Sequence, residues 1–182
     1  MSVTDRITMT TKTCTKCGVN KPLSEFGKHR LSKDGHAYRC KECARKASKA
    51  YSITSIGIFQ NIKGRQEFYK THDHWRYKPV NLSREDFIEW YESQPKVCHY
   101  CGIHETELSQ VNDTQNTKAK RLTVDCIDND RGYSLDNIVL ACGRCNFIKN
   151  DFFTHEQMLW IGQNFVRSRW YEMLEQTVRD EE

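Results

Sequence analysis

Residues 122–150 read LTVDCIDNDRGYSLDNIVLACGRCNFIKN, and the pattern changes period twice along them. Leu122, Val124 and Cys126 alternate with Thr123, Asp125 and Ile127, as in a half-buried strand. Ile138 to Ala141 is a second, short apolar strand. Between them DNDRGYSLD is a loop with turn chemistry at Asn129 to Gly132, and Asn137 sits where its amide can tie loop to strand. Cys142 and Cys145 pair with Cys98 and Cys101, about 40 residues upstream in KVCHYCGIH, to complete a four-thiolate site. That site fixes the second strand and the helix start at Asn146, and brings the end of the first strand towards it. Asp125 and Asn146 then offer oxygens to one hard divalent cation, with positions left for water and a phosphate oxygen. A metal so held polarises a phosphate, stabilises the leaving oxygen and lowers the pKa of bound water. The chemistry this pattern predicts is phosphodiester hydrolysis with Mg²⁺ or Mn²⁺.

Of nine cysteines, eight form four Cys-x-x-Cys pairs, Cys14/Cys17, Cys40/Cys43, Cys98/Cys101 and Cys142/Cys145. This is the spacing of tetrahedral zinc rather than of disulfides, and it predicts two structural Zn²⁺ sites. The first set, CTKCGVNKPLSEFGKHRLSKDGHAYRCKEC, holds Val19, Leu23, Phe26 and Tyr38 among basic residues. So few apolar groups cannot fold about 30 residues, whereas a structural zinc contributes roughly 10–16 kcal/mol of apparent folding free energy. Gly18 and Asp34-Gly35 predict turns, the second in a hairpin, giving a zinc ribbon. His29 and His36 lie between the pairs but are read as surface residues, because four thiolates already complete a tetrahedron.

A hydrophobic fraction of 37% and a charged fraction of 29% imply small cores that need such staples. MSVTDRITMTTKT has no apolar core of a signal peptide, and no later segment approaches a membrane span, so a reducing cytoplasmic location is expected. The net charge of +4 is uneven: +8 over residues 1–50, +1 over 51–97, −1 over 98–150 and −4 over 151–182. Taken alone, the basic end is a polyanion-binding surface or a solvated face. Its helix-forming stretch ARKASKAY, residues 44–51, carries Arg45, Lys46 and Lys49, preceded by Lys41, and suits phosphate.

Farther along, Ile56, Phe59, Ile62, Phe68 and Tyr69 follow helical spacing, interrupted by Gly57 and Gly64. HDHWRYKP, residues 72–79, alternates histidine, aromatic and basic side chains; it suits stacking against nucleic acid or a loop packing Trp75 and Tyr77 onto a core. Ser83 and Asp86 form a capping signal for a helix with Phe87, Ile88, Trp90 and Tyr91 on its apolar face, ended by Pro95. ETELSQVNDTQNTKAK, residues 105–120, reads as an inserted polar loop. Thr154 and Gln157 cap a long helix with Met158, Ile161, Phe165, Trp170 and Leu174 on one side, and disorder is expected past Thr177. The resulting plan is a small zinc-stabilised α+β chain. It has a flexible N-terminus (1–13), a four-cysteine ribbon with basic helix (14–50), a helical linker (51–94), a ββα unit with zinc site and C-terminal helix (95–176) and an acidic tail (177–182).

VDCIDNDRGYSLDNIVLACGRCNFIK resembles the ββα-metal motif of HNH endonucleases, in the branch with one Cys-x-x-Cys pair before the motif and one inside it. The resemblance covers about residues 96–150. It implies that Asp125 is the metal-binding aspartate, Asn137 the central asparagine and Asn146 the final metal ligand. It also implies a DNA partner, duplex or branched, for which Arg131, Arg144 and Lys149 are the basic residues of the motif. CTKC…KPLSEF…DG…CKEC is similar to the ribbons attached to phage-type HNH and recombination endonuclease VII-like proteins, which are often phage-borne or mobile-element nucleases, homing endonucleases included. One departure matters: the family usually has histidine, its general base, directly after the aspartate, and this chain has Cys126. A positioned base contributes roughly 10²–10⁴ in rate. A thiol beside a buried aspartate has a raised pKa and suits a small buried hydrophobe better than a base. Water activation would then pass to His99, His104 or Asp128.

The sequence thus predicts a metal-dependent HNH DNA endonuclease, either nickase or double-strand cutter. Symmetric double-strand cleavage by one-metal sites would call for two active sites, hence a homodimer or a larger complex. The competing reading is a catalytically weakened, zinc-stabilised nucleic-acid-binding module in a larger assembly, with Cys126 as the mark of lost chemistry. Retention of both Asp125 and Asn146 weighs against it. A protein-binding double ribbon leaves the acidic loop unexplained.

Overall fold

The computed structural model describes residues 11–108, 110 and 121–180. A break in packing after Ile58 divides the chain into two compact units, each with its own four-cysteine group.

In the first unit, β1 (Thr11–Thr13) pairs antiparallel with β2 (Asn20–Pro22), and β3 (Phe26–Lys28) with β4 (His36–Cys40). Gly18 and Gly35 turn the chain at φ +70°, a conformation open to glycine at no steric cost. The basic helix α1 follows (Lys41–Ser52) and buries none of its residues. The core is Cys14, Phe26 and Cys40 with Cys43 packed against them, so sulfur supplies most of it. One expectation changes here. The chain from Thr11 is already a strand rather than frayed, because its backbone pairs with Asn20–Pro22; residues 1–10 lie outside the described set. His29 and His36 are engaged locally, by Ser32 and the Asp34 carbonyl, and stay out of the cysteine group, as expected.

Helix α2 (Ser55–Thr71) runs straight through Gly57 and Gly64. Gly57 is required: a Cβ there would lie 2.0 Å from the Tyr51 carbonyl oxygen where the chain turns out of α1. In the second unit, α3 (Arg84–Ser93) is capped by Ser83, whose hydroxyl accepts the Asp86 amide at 3.1 Å. Such a cap is worth about 1 kcal/mol. Phe87 and Tyr91 of α3 are buried, Phe87 with its ring 5.3 Å from that of Phe59. Within the polar insertion, Glu105–Leu108 form a short helix, α4, and the remainder except residue 110 lies outside the described set.

Strands β5 (Leu122–Cys126) and β6 (Ile138–Cys142) form an antiparallel hairpin in which Asp125 faces Val139 and Cys126 faces Ile138. Cys142 caps α5 (Gly143–Lys149), its sulfur accepting the Cys145 amide, so one zinc-ligand type also starts the helix. Thr154 and Gln157 form the reciprocal cap of α6 (His155–Ile161). The helix then widens into a π segment (Gly162–Val166) before α7 (Arg167–Asp180). The wider turn shifts the buried stripe to Met158, Gly162, Val166 and Trp170, four residues apart, and leaves Phe165 exposed, contrary to its expected place on that stripe. Gly162 lets the helix approach the knuckle: a Cβ there would sit 2.5 Å from the Tyr100 carbonyl. Nor does order end at Thr177, since α7 continues through Val178 and Arg179 to Asp180. Among the described residues no helix is long and apolar enough to cross a membrane.

Candidate active site

Side chains two apart on a strand share a face, as do those three apart on a helix. Thr123 and Asp125 of β5 therefore look onto Asn146 and Lys149 of α5. Thr123 donates its hydroxyl proton to the Ala141 carbonyl (3.1 Å), so its oxygen meets Asn146 as an acceptor, and Asn146 Nδ2 donates to it at 3.0 Å. This relay orients the Asn146 amide with its nitrogen towards Thr123. Asp125 is only 6% exposed. One of its carboxylate oxygens, Oδ2, accepts the Tyr100 hydroxyl at 2.8 Å and has Lys149 Nζ at 3.4 Å. Burial, then the Asp125 charge, raise the Tyr100 pKa, so its hydroxyl stays a donor.

Lys149 departs from its expected place at a phosphate. It is 1% exposed, and its ammonium donates to the Cys126 carbonyl at 2.7 Å beside Asp125. A charge this deep needs a partner, and the aspartate supplies it. Asp125 is buried, as the sequence reading took it to be, because Tyr100 and Lys149 cover it.

Asn137 is fully buried and holds the loop at three points. Its oxygen accepts the Asp128 amide (3.0 Å), and its nitrogen donates to the carbonyls of Asp128 (2.8 Å) and Gly132 (2.7 Å). Asp128 spends Oδ1 on the Asp130 amide, an Asx turn that occupies it structurally. Arg131 pairs with Asp136, whose carboxyl is held low first by Ser134 and then by this guanidinium. Gly132, at φ +74°, passes so close to the linker that a Cβ would meet the Pro79 oxygen at 2.4 Å. There the Tyr133 amide donates to Pro79 and the Asn81 amide to Tyr133, each at 2.8 Å.

That junction brings two cations missed by sequence reasoning. Lys78 donates to Asn129 Oδ1, and Arg65 reaches the Tyr133 hydroxyl at 3.5 Å. Both act electrostatically on Cys126, as does Lys149. Cys126 faces away from Asp125, on the side of Val124, and is 1% exposed. Burial, aided by Asp125, pushes its thiol up to about 11 against the pull of those cations. A neutral thiol is a poor base at pH 7. Of the alternatives, His104 is bound into its own turn through Thr106 (2.8 Å). His99 Nε2 meets His155 Nε2 at 2.9 Å, with its ring against Tyr100.

The sulfurs of Cys98, Cys101, Cys142 and Cys145 lie within 4.8 Å of one another and are all buried, and those of Cys14, Cys17, Cys40 and Cys43 cluster equally closely. The Cys40 amide donates to Cys14 Sγ at 3.3 Å and, with the other backbone amides, holds that thiol down at about 6. Convergent sulfurs with N–H donors suit tetrahedral Zn²⁺. Lys41, Arg45, Lys46 and Lys49 are exposed on α1, with Lys46 paired to Glu42 at 2.9 Å. Arg144 lies in the first turn of α5, partly exposed. Tyr100 also escaped sequence reasoning, although its place between two zinc ligands marked it as rigidly held.

The cysteine-stapled hairpin and helix form a small α+β fold. The chain shares that fold with the solved structure of the rare-cutting HNH restriction endonuclease PacI, an enzyme that exhibits a mechanism of DNA perturbation; 88% of this chain and 96% of that one align with a TM-score of 0.50 and 24% identity. No protein-family model matches the sequence, and no curated protein matches it.

Proposed function

We propose that the protein is a metal-dependent DNA endonuclease of the HNH type. The observation that carries this reading is the placement of Asp125 and Asn146: a buried carboxylate oriented by Tyr100, and an amide whose nitrogen is held by Thr123, which leaves its oxygen to serve a cation. Both donors suit a hard divalent cation such as Mg²⁺ or Mn²⁺. That cation, when bound, polarises the phosphate and stabilises the leaving oxygen. The chain's own residues do the rest. Tyr100 holds Asp125 by one oxygen, leaving the carboxylate in a single orientation. Lys149 offsets its buried charge. Asn137 keeps the loop from Asp128 to Gly132 in shape beside the strand ends, and Arg131, Arg144, Lys78 and Arg65 add positive charge on which a DNA backbone depends. Exposed Lys41, Arg45, Lys46 and Lys49 suit phosphate contacts by the first unit.

The test is a Mg²⁺-dependent cleavage assay on supercoiled plasmid and branched DNA. Parent protein should cut, and Asp125→Ala should lose at least about 10²-fold in rate. Equal cutting by both would overturn the assignment. A second reading, a nucleic-acid-binding module without cleavage, draws on the buried, neutral Cys126 where the family carries its base. It predicts DNA binding by parent and Asp125→Ala alike, with no product from either.

A further inference from the structure

The end of α2 and the chain that follows it carry aromatic side chains that no core uses. Trp75 is 64% exposed, Phe68 54% and Tyr77 41%. They are nevertheless ordered. Tyr69 stacks on His74 (4.6 Å, 22°), His74 on Trp75 (5.8 Å, 21°), and the Arg76 guanidinium lies 4.6 Å from the Trp75 ring centroid. Beside this column Phe68 stacks on His72 at 4.1 Å.

The backbone holds the column in place. Asp73 adopts φ +47°, a left-handed conformation that aspartate takes more readily than most side-chain-bearing residues. It lets the His74 amide reach back to the Tyr69 carbonyl (2.9 Å), a helix-closing bond that folds the histidine onto Tyr69. His74 Nδ1 accepts the Arg76 amide (3.1 Å), and buried Gln66 accepts the Lys78 amide (2.6 Å). Lys78 then bonds Asn129 of the loop beside the candidate active site.

An exposed, pre-ordered π column ending in a guanidinium, with Lys70, Arg76 and Lys78 against the single carboxylate of Asp73 over residues 70–78, matches one chemistry: a flat heterocycle on an anionic backbone. Aliphatic partners would gain nothing from the parallel rings, and a paired duplex hides its base faces in its own stack. We infer that the Tyr69–His74–Trp75–Arg76 column is a stacking platform for an unpaired nucleotide of the DNA, held next to the cleavage centre. The inference rests on DNA being the substrate and adds the form that DNA takes.

The test measures binding without cleavage, using zinc-loaded Asp125→Ala protein in a buffer free of Mg²⁺. The probes are a duplex, the same duplex with one bulged 2-aminopurine, and a single strand. The bulged probe should bind more tightly than the duplex, with its 2-aminopurine fluorescence quenched. Adding Trp75→Ala should lower affinity for the bulged probe about 5- to 100-fold and restore fluorescence, with a much smaller effect on the duplex, while Trp75→Phe retains most of the preference. Equal losses on all probes, or none, would overturn the inference. So would a concentration-dependent dimer abolished by Trp75→Ala, which would assign the surface to a second copy of the chain. Should parent protein prove unable to cut DNA while this preference persists, the nuclease reading fails and the platform stands.

Discussion

Cys126 illustrates how one residue divides scaffold from chemistry. Its thiol is buried on the Val124 side of β5 and raised to about 11, so it stays protonated where an unfolded thiol, with a pKa near 8.5, has begun to ionise. The unfolded chain then binds fewer protons than the folded one across that window. Stability contributed by Cys126 is therefore full below about pH 8.5 and is lost as pH rises towards 11, by on the order of 2 kcal/mol. Thermal melts between pH 8 and 11 should show a shallower alkaline decline in Cys126→Ala than in parent after each is referred to its pH 8 value; parallel declines would refute the assignment. The side chains that engage Asp125, in contrast, follow from no sequence rule. Lys149 looked like a surface cation because nothing local marks a lysine as buried. Its burial depends on the distance between β5 and α5, which the zinc group sets.

At the scale of the element, the relay from the Ala141 carbonyl through Thr123 to Asn146 joins both strands of the hairpin to the helix. Thr123→Val keeps the shape but removes the acceptor, and frees the Asn146 amide to turn its nitrogen towards the cation. The Mg²⁺ concentration for half-maximal cleavage should rise about 10- to 100-fold, the usual effect of losing a group that orients a ligand, while Thr123→Ser stays near parent. An unchanged Mg²⁺ requirement in Thr123→Val would remove Asn146 from the metal site. The hairpin, the capped helices α3 and α6 and the turns at Gly18 and Gly35 were legible in the sequence because their signals are local: period, cap and glycine. The π segment was not. It coincides with the close approach of Gly162 to the Tyr100 backbone, a tertiary contact that no local signal marks, and Phe165 lies off the buried stripe there.

For the whole molecule, the two cysteine groups are the largest stabilising terms on offer, and each sits within its own unit. Chelation should therefore be felt in two places rather than one. Slow removal of zinc by a strong chelator, followed by circular dichroism and by metal release, should give two separable losses of structure, with Cys14→Ser abolishing one and Cys142→Ser the other. A single loss abolished by either substitution would mean that the units do not fold independently. The sorting of the cysteines into two groups was foreseen from the spacing of the four Cys-x-x-Cys pairs, which specify who shares a metal. The cations contributed by Arg65 and Lys78 were not, because their approach to Cys126 depends on how residues 79–81 run beside Tyr133. The π segment also bears on descent. Between Met158 and Trp170 the chain carries a wider turn than an α-helix of the same rise needs. A relative that replaced it with plain α-helix while keeping both ends in place would be one residue shorter there. A one-residue gap at this point in such a relative would be the trace of an insertion, with glycine taking the close approach.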